Sequence, residues 1–404
     1  MRGHKILRIA ATLVFTLSAV LAGCQSPAAA PTAAPTAAPT TAPAPAGATT
    51  SGPTPKFAYK IGLIAPLTGT NKTFGESTKN AFEMAIAEAN ARGAKITFVE
   101  ADDKSDPTEG TNAANKEITQ DGVNAIVGAV TSNVTIPVSE IAQANKIVEI
   151  TSSSTNPKVT VDNGQRKDYV FRACFIDPFQ GTVMARFALD NLKSKKAAVF
   201  YDNSNDYVKG LAEYFRDAYT KGGGTINVFE AYGKDDVDFS AQLTKVAADK
   251  PDFLYIPDYY QKVSLIAKQA KDKGITATLG GGDGWDSPEL DYKATDGGYF
   301  SNHYAPQDPR PAVQDFIKTY QAKYGSVPDA LATLAYDATN LLLTAAEKAG
   351  SADPTKVRDA MASLKDVPMV TGNITFDKNG DPSKSAVIMQ IKDGKAQYVA
   401  TVNP

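Results

Sequence analysis

The sequence predicts an α/β protein of two doubly wound, mostly parallel sheets. Two observations carry this. Short apolar runs alternate with longer segments whose apolar residues recur at helical spacing, the pattern of a parallel sheet covered on both faces. The alternation stops near Arg172 and then restarts, so one sheet does not account for it. A chain of 404 residues, 43% apolar and 21% charged, is long enough and apolar enough to bury two such cores.

The first cycle opens with a strand over 59–65. Residues 76–92 follow as a helix, with Ala81, Phe82, Ala85, Ile86 and Ala89 on one face and Gly93 as the stop. A strand over 95–101, a helix over 106–121 and a strand over 124–130 come next. A helix over 133–145 and a strand over 147–151 complete the set. The second cycle reads as helix 179–192, strand 197–202, helix 208–221 and strand 225–231. Helix 239–248, strand 252–257, helix 263–273 and strand 276–281 close it. A long apolar helix over 331–349 and strands over 372–377 and 386–392 then have to find places in these two units.

Residues 1–55 stand apart from the fold. Arg2, Lys5 and Arg8 precede an apolar core too short to span a bilayer stably, as in a secretory signal ending at residue 23. Leu21-Ala22-Gly23-Cys24 has the form of a bacterial lipobox, in which the cysteine is acylated; the alternative is an ordinary secretory signal with Cys24 incidental. Residues 24–55 contain no charge and repeat Ala, Pro and Thr, so a disordered tether is expected there. Extended as polyproline II, it reaches about 95 Å at most. Loss of the three basic residues takes the net charge from −2 to −5, which argues against a nucleic-acid partner. Lipid on Cys24 is the expected membrane anchor. The remaining cysteine, Cys174, sits in an apolar run and reads as a buried small hydrophobe with no disulfide or thiolate metal site.

In such sheets, ligands bind beyond the carboxyl ends of the strands. Four loops stand there: 68–75 with Phe74, 128–133 with Val130, Ser132 and Asn133, 151–157 with Ser153 and Thr155, and 280–285 with Asp283 and Trp285. Ser132 and Asn133 open a helix, where free N–H groups and a hydroxyl suit an anion; either one also suits a simple cap. The glycines around Asp283 let backbone approach a small ligand, and the carboxylate excludes a phosphate.

Taken in order, IGLIAPLTGTNKTFGESTKNAFEMAIAEANARG, AIVGAVTSNVTIPVSEIA, ITSSSTNP, YVFRACFIDPFQG, FYDNSNDYVKG and the glycine run resemble the periplasmic branched-chain amino-acid-binding proteins. These are type I solute receptors of ABC importers, and the likeness runs from Lys56 to the C-terminus. It implies two lobes joined by a three-strand hinge: 56–176 with 304–368, and 177–303 with 369–404. It also implies a ligand carboxylate on Ser132 and a ligand ammonium on Thr155, Asp283 and the Ser153 carbonyl. Phe74, Val130, Tyr207, Tyr259 and Leu331 would line the side-chain pocket. Where Asp283 stands, the family more often has glutamate. Trp285 is either a pocket wall or packing under the loop.

The expected partners are therefore a free amino acid, aliphatic or aromatic, and an ABC permease, with a monomeric receptor and no cofactor or metal. Same-fold alternatives are a receptor for an amide, urea or aromatic acid, and a sensor for a membrane signalling protein. An α/β hydrolase fits poorly: past the signal the only histidine is His303, read as structural, and no G-x-S-x-G, Walker or H-E-x-x-H motif occurs.

Overall fold

The computed structural model describes residues 52–404. The signal segment, Cys24 and the tether up to residue 51 lie outside them. Residues 52–55, assigned to the tether, touch the body instead: Arg92 Nη2 donates to Pro53 O and Thr54 N to Glu347 Oε1.

Two sheets form. The first runs in the order Lys95–Asp102, Ala58–Ala65, Ala125–Val127, Val148–Thr151, Val170–Arg172, and every neighbouring pair is parallel. The second runs Thr225–Tyr232, Lys196–Asp202, Phe253–Tyr255, Thr278–Gly281, Tyr299–Asn302, all parallel, and then adds Ala386–Lys392 and Lys395–Val402 antiparallel. This sheet is thus mixed. Its last two strands form a hairpin through Asp393-Gly394, both at positive φ, as a tight turn between right-twisted strands requires. That Asp-Gly pair was a readable hairpin signal, and the strand Lys395–Val402 was not expected.

In both sheets the chain winds first one way and then the other, which creates a crevice at the reversal. In the first it lies between Ala58–Ala65 and Ala125–Val127, in the second between Lys196–Asp202 and Phe253–Tyr255. The chain passes between the two layers three times: after Arg172, after Asn302, and between Ile374 and Ala386.

The helix expected over 76–92 begins earlier, at Lys72, and spans Lys72–Ala91. Its first turn, Lys72-Thr73-Phe74-Gly75, ends in a glycine, which hid it. The glycine is required by a close approach, because a Cβ there would lie 2.0 Å from Pro66 O. The early start puts Phe74 on a rigid first turn. The helix Ala330–Ala349 is buried almost all round and packs on Lys72–Ala91 and on Pro354–Ala362. Helices Pro311–Tyr324 and Pro354–Ala362 were not expected, although Asp353 and Pro354 carry an N-cap and N1 signal that the structure uses. Cys174 is fully buried, and burial pushes its thiol up to about 12.

A candidate ligand site between the two sheets

The loops beyond the strand ends of both sheets meet. Phe74, Val130, Ser132, Ser153, Tyr207, Tyr259 and Asp283 enclose one small cavity, together with Thr131, Gly284 and Leu331. Residues from four separate predicted loops and from both sheets are therefore neighbours. Thr155, Asn133 and Trp285 are not in its wall.

One end of the cavity suits an anion. Ser132 is the first residue of the helix Ser132–Asn145. Its Oγ accepts from Asn156 N at 3.2 Å, which leaves its proton uncommitted. Thr131 holds the N-cap position in extended geometry, makes no cap bond, and has a buried Oγ1 without a partner. Neither Ser132 nor Asn133 caps the helix. Two hydroxyls and a helix start, whose first amides lack intrahelical acceptors, thus stand together at this end of the cavity. Thr131 was not among the expected site residues. Its signal was its place directly before the helix. Ser153 Oγ donates to Val130 O at 2.9 Å and locks the second loop to the third.

The other end suits a cation. Asp283 is 7% exposed, and both of its oxygens are held: Tyr207 Oη donates to Oδ1 at 2.8 Å, and His303 Nε2 lies 2.9 Å from Oδ2. Asp283 N donates to Gln180 Oε1 at 2.8 Å. Thr155 is fully buried beside Asp177, and neither Thr155 Oγ1 nor Asp177 Oδ2 makes a well-formed hydrogen bond. Burial pushes the Asp177 carboxyl up to about 8, so it is a neutral acid at neutral pH. His303, Gln180 and Asp177 were missed as site residues. Their link to Asp283 spans the fold and leaves no local trace in the sequence.

Gly281 and Gly282 have a different use from the one expected, whereas Gly284 stands in the cavity wall. A Cβ on Gly281 would lie 2.0 Å from Trp285 Nε1, and one on Gly282 would lie 2.7 Å from Leu211 and from Tyr207 Oη. They make room for the protein's own side chains. Trp285 is packed behind the loop, donates to Ile256 O at 2.9 Å and stacks on Phe300.

Aromatic rings close the middle. Tyr207 and Tyr259 stack with centroids 5.1 Å apart, and Phe74 of the facing layer meets Tyr259 edge-on at 5.8 Å. About 20 Å³ remains between them, the room of one water. Contacts across the cleft hold this closed arrangement: Thr73 Oγ1 to Ser287 Oγ at 3.0 Å, Tyr260 Oη to Thr70 O at 3.0 Å, and Asn156 Nδ2 to Asp206 O at 2.8 Å.

Two doubly wound sheets whose strand ends share a cleft, with three chain crossings beneath it, define a two-layer solute receptor. The chain belongs to the periplasmic binding protein family, whose sequence profile matches residues 58–396. This is a family of extracytoplasmic receptors, not of enzymes. The chain is 35% identical over 344 residues to the Leu/Ile/Val-binding protein BraC3 of Rhizobium johnstonii, covering 83% of this chain and 92% of that protein. Its structure is similar to that of the leucine-binding protein LivK of Thermotoga maritima, with TM-score 0.82 and 38% identity, covering 86% of this chain and 99% of the other. It is also similar to LivJ of Streptococcus pneumoniae, a branched-chain amino acid transporter substrate-binding protein solved with isoleucine, with TM-score 0.80 and 31% identity over 86% and 100% of the two chains.

Proposed function

We propose that this protein is an extracytoplasmic receptor that binds a free amino acid with an aliphatic, branched side chain and delivers it to an ABC permease. The observation that carries this reading is the pairing of Ser132 and Asp283 across one cavity, a hydroxyl at a helix start facing a buried carboxylate. A zwitterion needs such donor and acceptor ends. The ligand carboxylate takes the Ser132 and Thr131 hydroxyls. The ammonium takes Asp283, with Thr155 and the Ser153 carbonyl as further acceptors, and Phe74, Val130, Tyr207, Tyr259 and Leu331 receive the side chain. The relatives named for leucine, isoleucine and valine support the ligand class. Asp283 favours an amino acid over a neutral amide or a simple organic acid.

In this reading the lobes comprise 56–176 with 304–368 and 177–303 with 369–404. They part about the three crossings to admit ligand and close on it. Cys24 carries the lipid, and the charge-free segment from there to residue 51 is the tether of a monomer.

Thermal unfolding of the purified protein against amino acids, their amides and their deaminated analogues tests the proposal. Ligand that binds the folded state alone raises the midpoint. A rise with leucine, isoleucine or valine, much larger than that with 4-methylpentanoate at the same concentration, is expected. Rises with amides or aromatic acids alone would refute the amino-acid reading.

A further inference from the structure

His303 faces two ways. Its Nε2 is bound to Asp283 in the ligand cleft at 2.9 Å. The same residue lines a second cavity of about 440 Å³ between the second and third crossings, walled also by Arg310, Thr371 and Tyr398. The ring is stacked on Phe175 with centroids 3.8 Å apart, and the His303 amide donates to Asn302 Oδ1, so the imidazole has little freedom to turn. Its side chain is 1% exposed, and Nδ1 is buried without a hydrogen-bond partner.

We propose that His303 is a positioning residue for the cation end of the site: as a neutral donor it fixes the Asp283 carboxylate, and by taking a second proton at Nδ1 it cancels the charge that holds a cationic ligand. This rests on the amino-acid reading above.

A carboxylate only accepts hydrogen bonds, so the proton of the neutral ring sits on Nε2 and the lone pair on Nδ1. Burial lowers the imidazole below its ordinary value and outweighs the pull of Asp283, so the contact at neutral pH is a hydrogen bond from a neutral ring rather than an ion pair. The Asp283–His303 pair then carries one negative charge, which one ammonium neutralises. In acid, Nδ1 takes a proton from solvent, and the imidazolium competes with the ligand for the same carboxylate. Asp283 favours that protonation and Lys384, on the third crossing, opposes it. Arg310 and Asp308, in the wall of the same cavity, pair with each other at 2.7 Å and nearly cancel.

The test is calorimetric titration of the full chain with leucine and with 4-methylpentanoate at pH 7.5 and pH 5.0, for the wild type, His303→Gln and His303→Phe. His303→Gln keeps a donor and cannot titrate, whereas His303→Phe keeps the stacking and has no donor. The leucine affinity of the wild type is expected to fall, from pH 7.5 to 5.0, at least about fivefold more than that of His303→Gln. At pH 7.5, His303→Phe is expected to weaken leucine about tenfold and 4-methylpentanoate less than about twofold. Parallel pH profiles in the wild type and His303→Gln, or equal losses for both ligands in His303→Phe, would overturn the proposal while leaving the receptor reading standing. A wild type that binds no leucine at either pH would sink both.

Discussion

Arg172 and Asp381 lie 2.6 Å apart, Nε to Oδ1, and join the first crossing between the sheets to the third. The same guanidinium donates to Ser154 O at 2.7 Å, Asn156 O at 3.0 Å and Thr160 Oγ1 at 2.9 Å. It is fully buried and pins the loop that carries Ser153 and Thr155 to the hinge below it. Arg172→Ala takes the counter-charge from a buried carboxylate, to which Thr160 Oγ1 still donates, and the guanidinium donors from two loop carbonyls. Denaturant unfolding should show a loss of about 3–5 kcal/mol. Arg172→Lys should recover only part of it, because an ammonium cannot reproduce the planar fork. A loss below about 1 kcal/mol for the alanine variant would mean that the hinge does not depend on this residue.

Asp283→Ala removes the negative charge at the cation end and leaves Tyr207 Oη and His303 Nε2 with no acceptor. Truncating one partner of a buried charged pair costs about 3–5 kcal/mol, so leucine affinity should fall by about two to three orders of magnitude. A decrease under about threefold in calorimetry would remove Asp283 from the role assigned to it.

Ser132→Ala acts at the opposite end, and its selectivity should be opposite too. It removes the donor proposed for the ligand carboxylate and an acceptor for Asn156 N. Leucine and 4-methylpentanoate both carry the carboxylate, so both should weaken, each by about tenfold. Asp283→Ala should spare the deaminated analogue. If Ser132→Ala discriminates between the two ligands, the assignment of the two ends is reversed.

Glu117 is buried against the first sheet with neither carboxylate oxygen hydrogen-bonded, and burial, then Asp121, pushes its carboxyl up to about 8. The folded chain keeps this proton until about pH 8, and the unfolded chain loses it near 4.5. Between those values the folded state binds more protons, so stability falls as pH rises through that window. Glu117→Gln does not titrate. Its stability relative to wild type should improve from pH 5 to pH 8.5 by up to about 4 kcal/mol. A difference independent of pH would show that Glu117 is already ionised in the fold.

Lys72 and Glu289 pair at 3.1 Å across the rim of the cleft, with side chains 55% and 42% exposed. Solvent screens such a pair, so Lys72→Ala should change leucine affinity by less than about threefold. A larger loss at moderate salt would mean that rim charges, rather than the buried ends of the site, hold the lobes together.

The strand–helix alternation was legible because periodicity is local: Ile61 and Leu63 in a strand, and Phe82 and Ile86 in a helix, announce their burial within a few residues. The same local rules placed Ser132 at a helix start and Asp283 just past a strand end. They failed where a signal was short or ambiguous, as with the first turn that Gly75 ends and the hairpin at Asp393-Gly394.

Only the tertiary structure decided which loops meet and what stands behind them. Tyr207 and His303 reach Asp283 from positions 76 and 20 residues away, and Arg172 grips Asp381 across 209. Helical and strand spacing carries no information at such separations. Gly281 and Gly282 show the same limit. The sequence revealed that a close approach occurs there, and only the packed fold showed that Trp285 and Tyr207, rather than a ligand, make it, because what fills the space beside a backbone is set by side chains arriving from elsewhere in the chain.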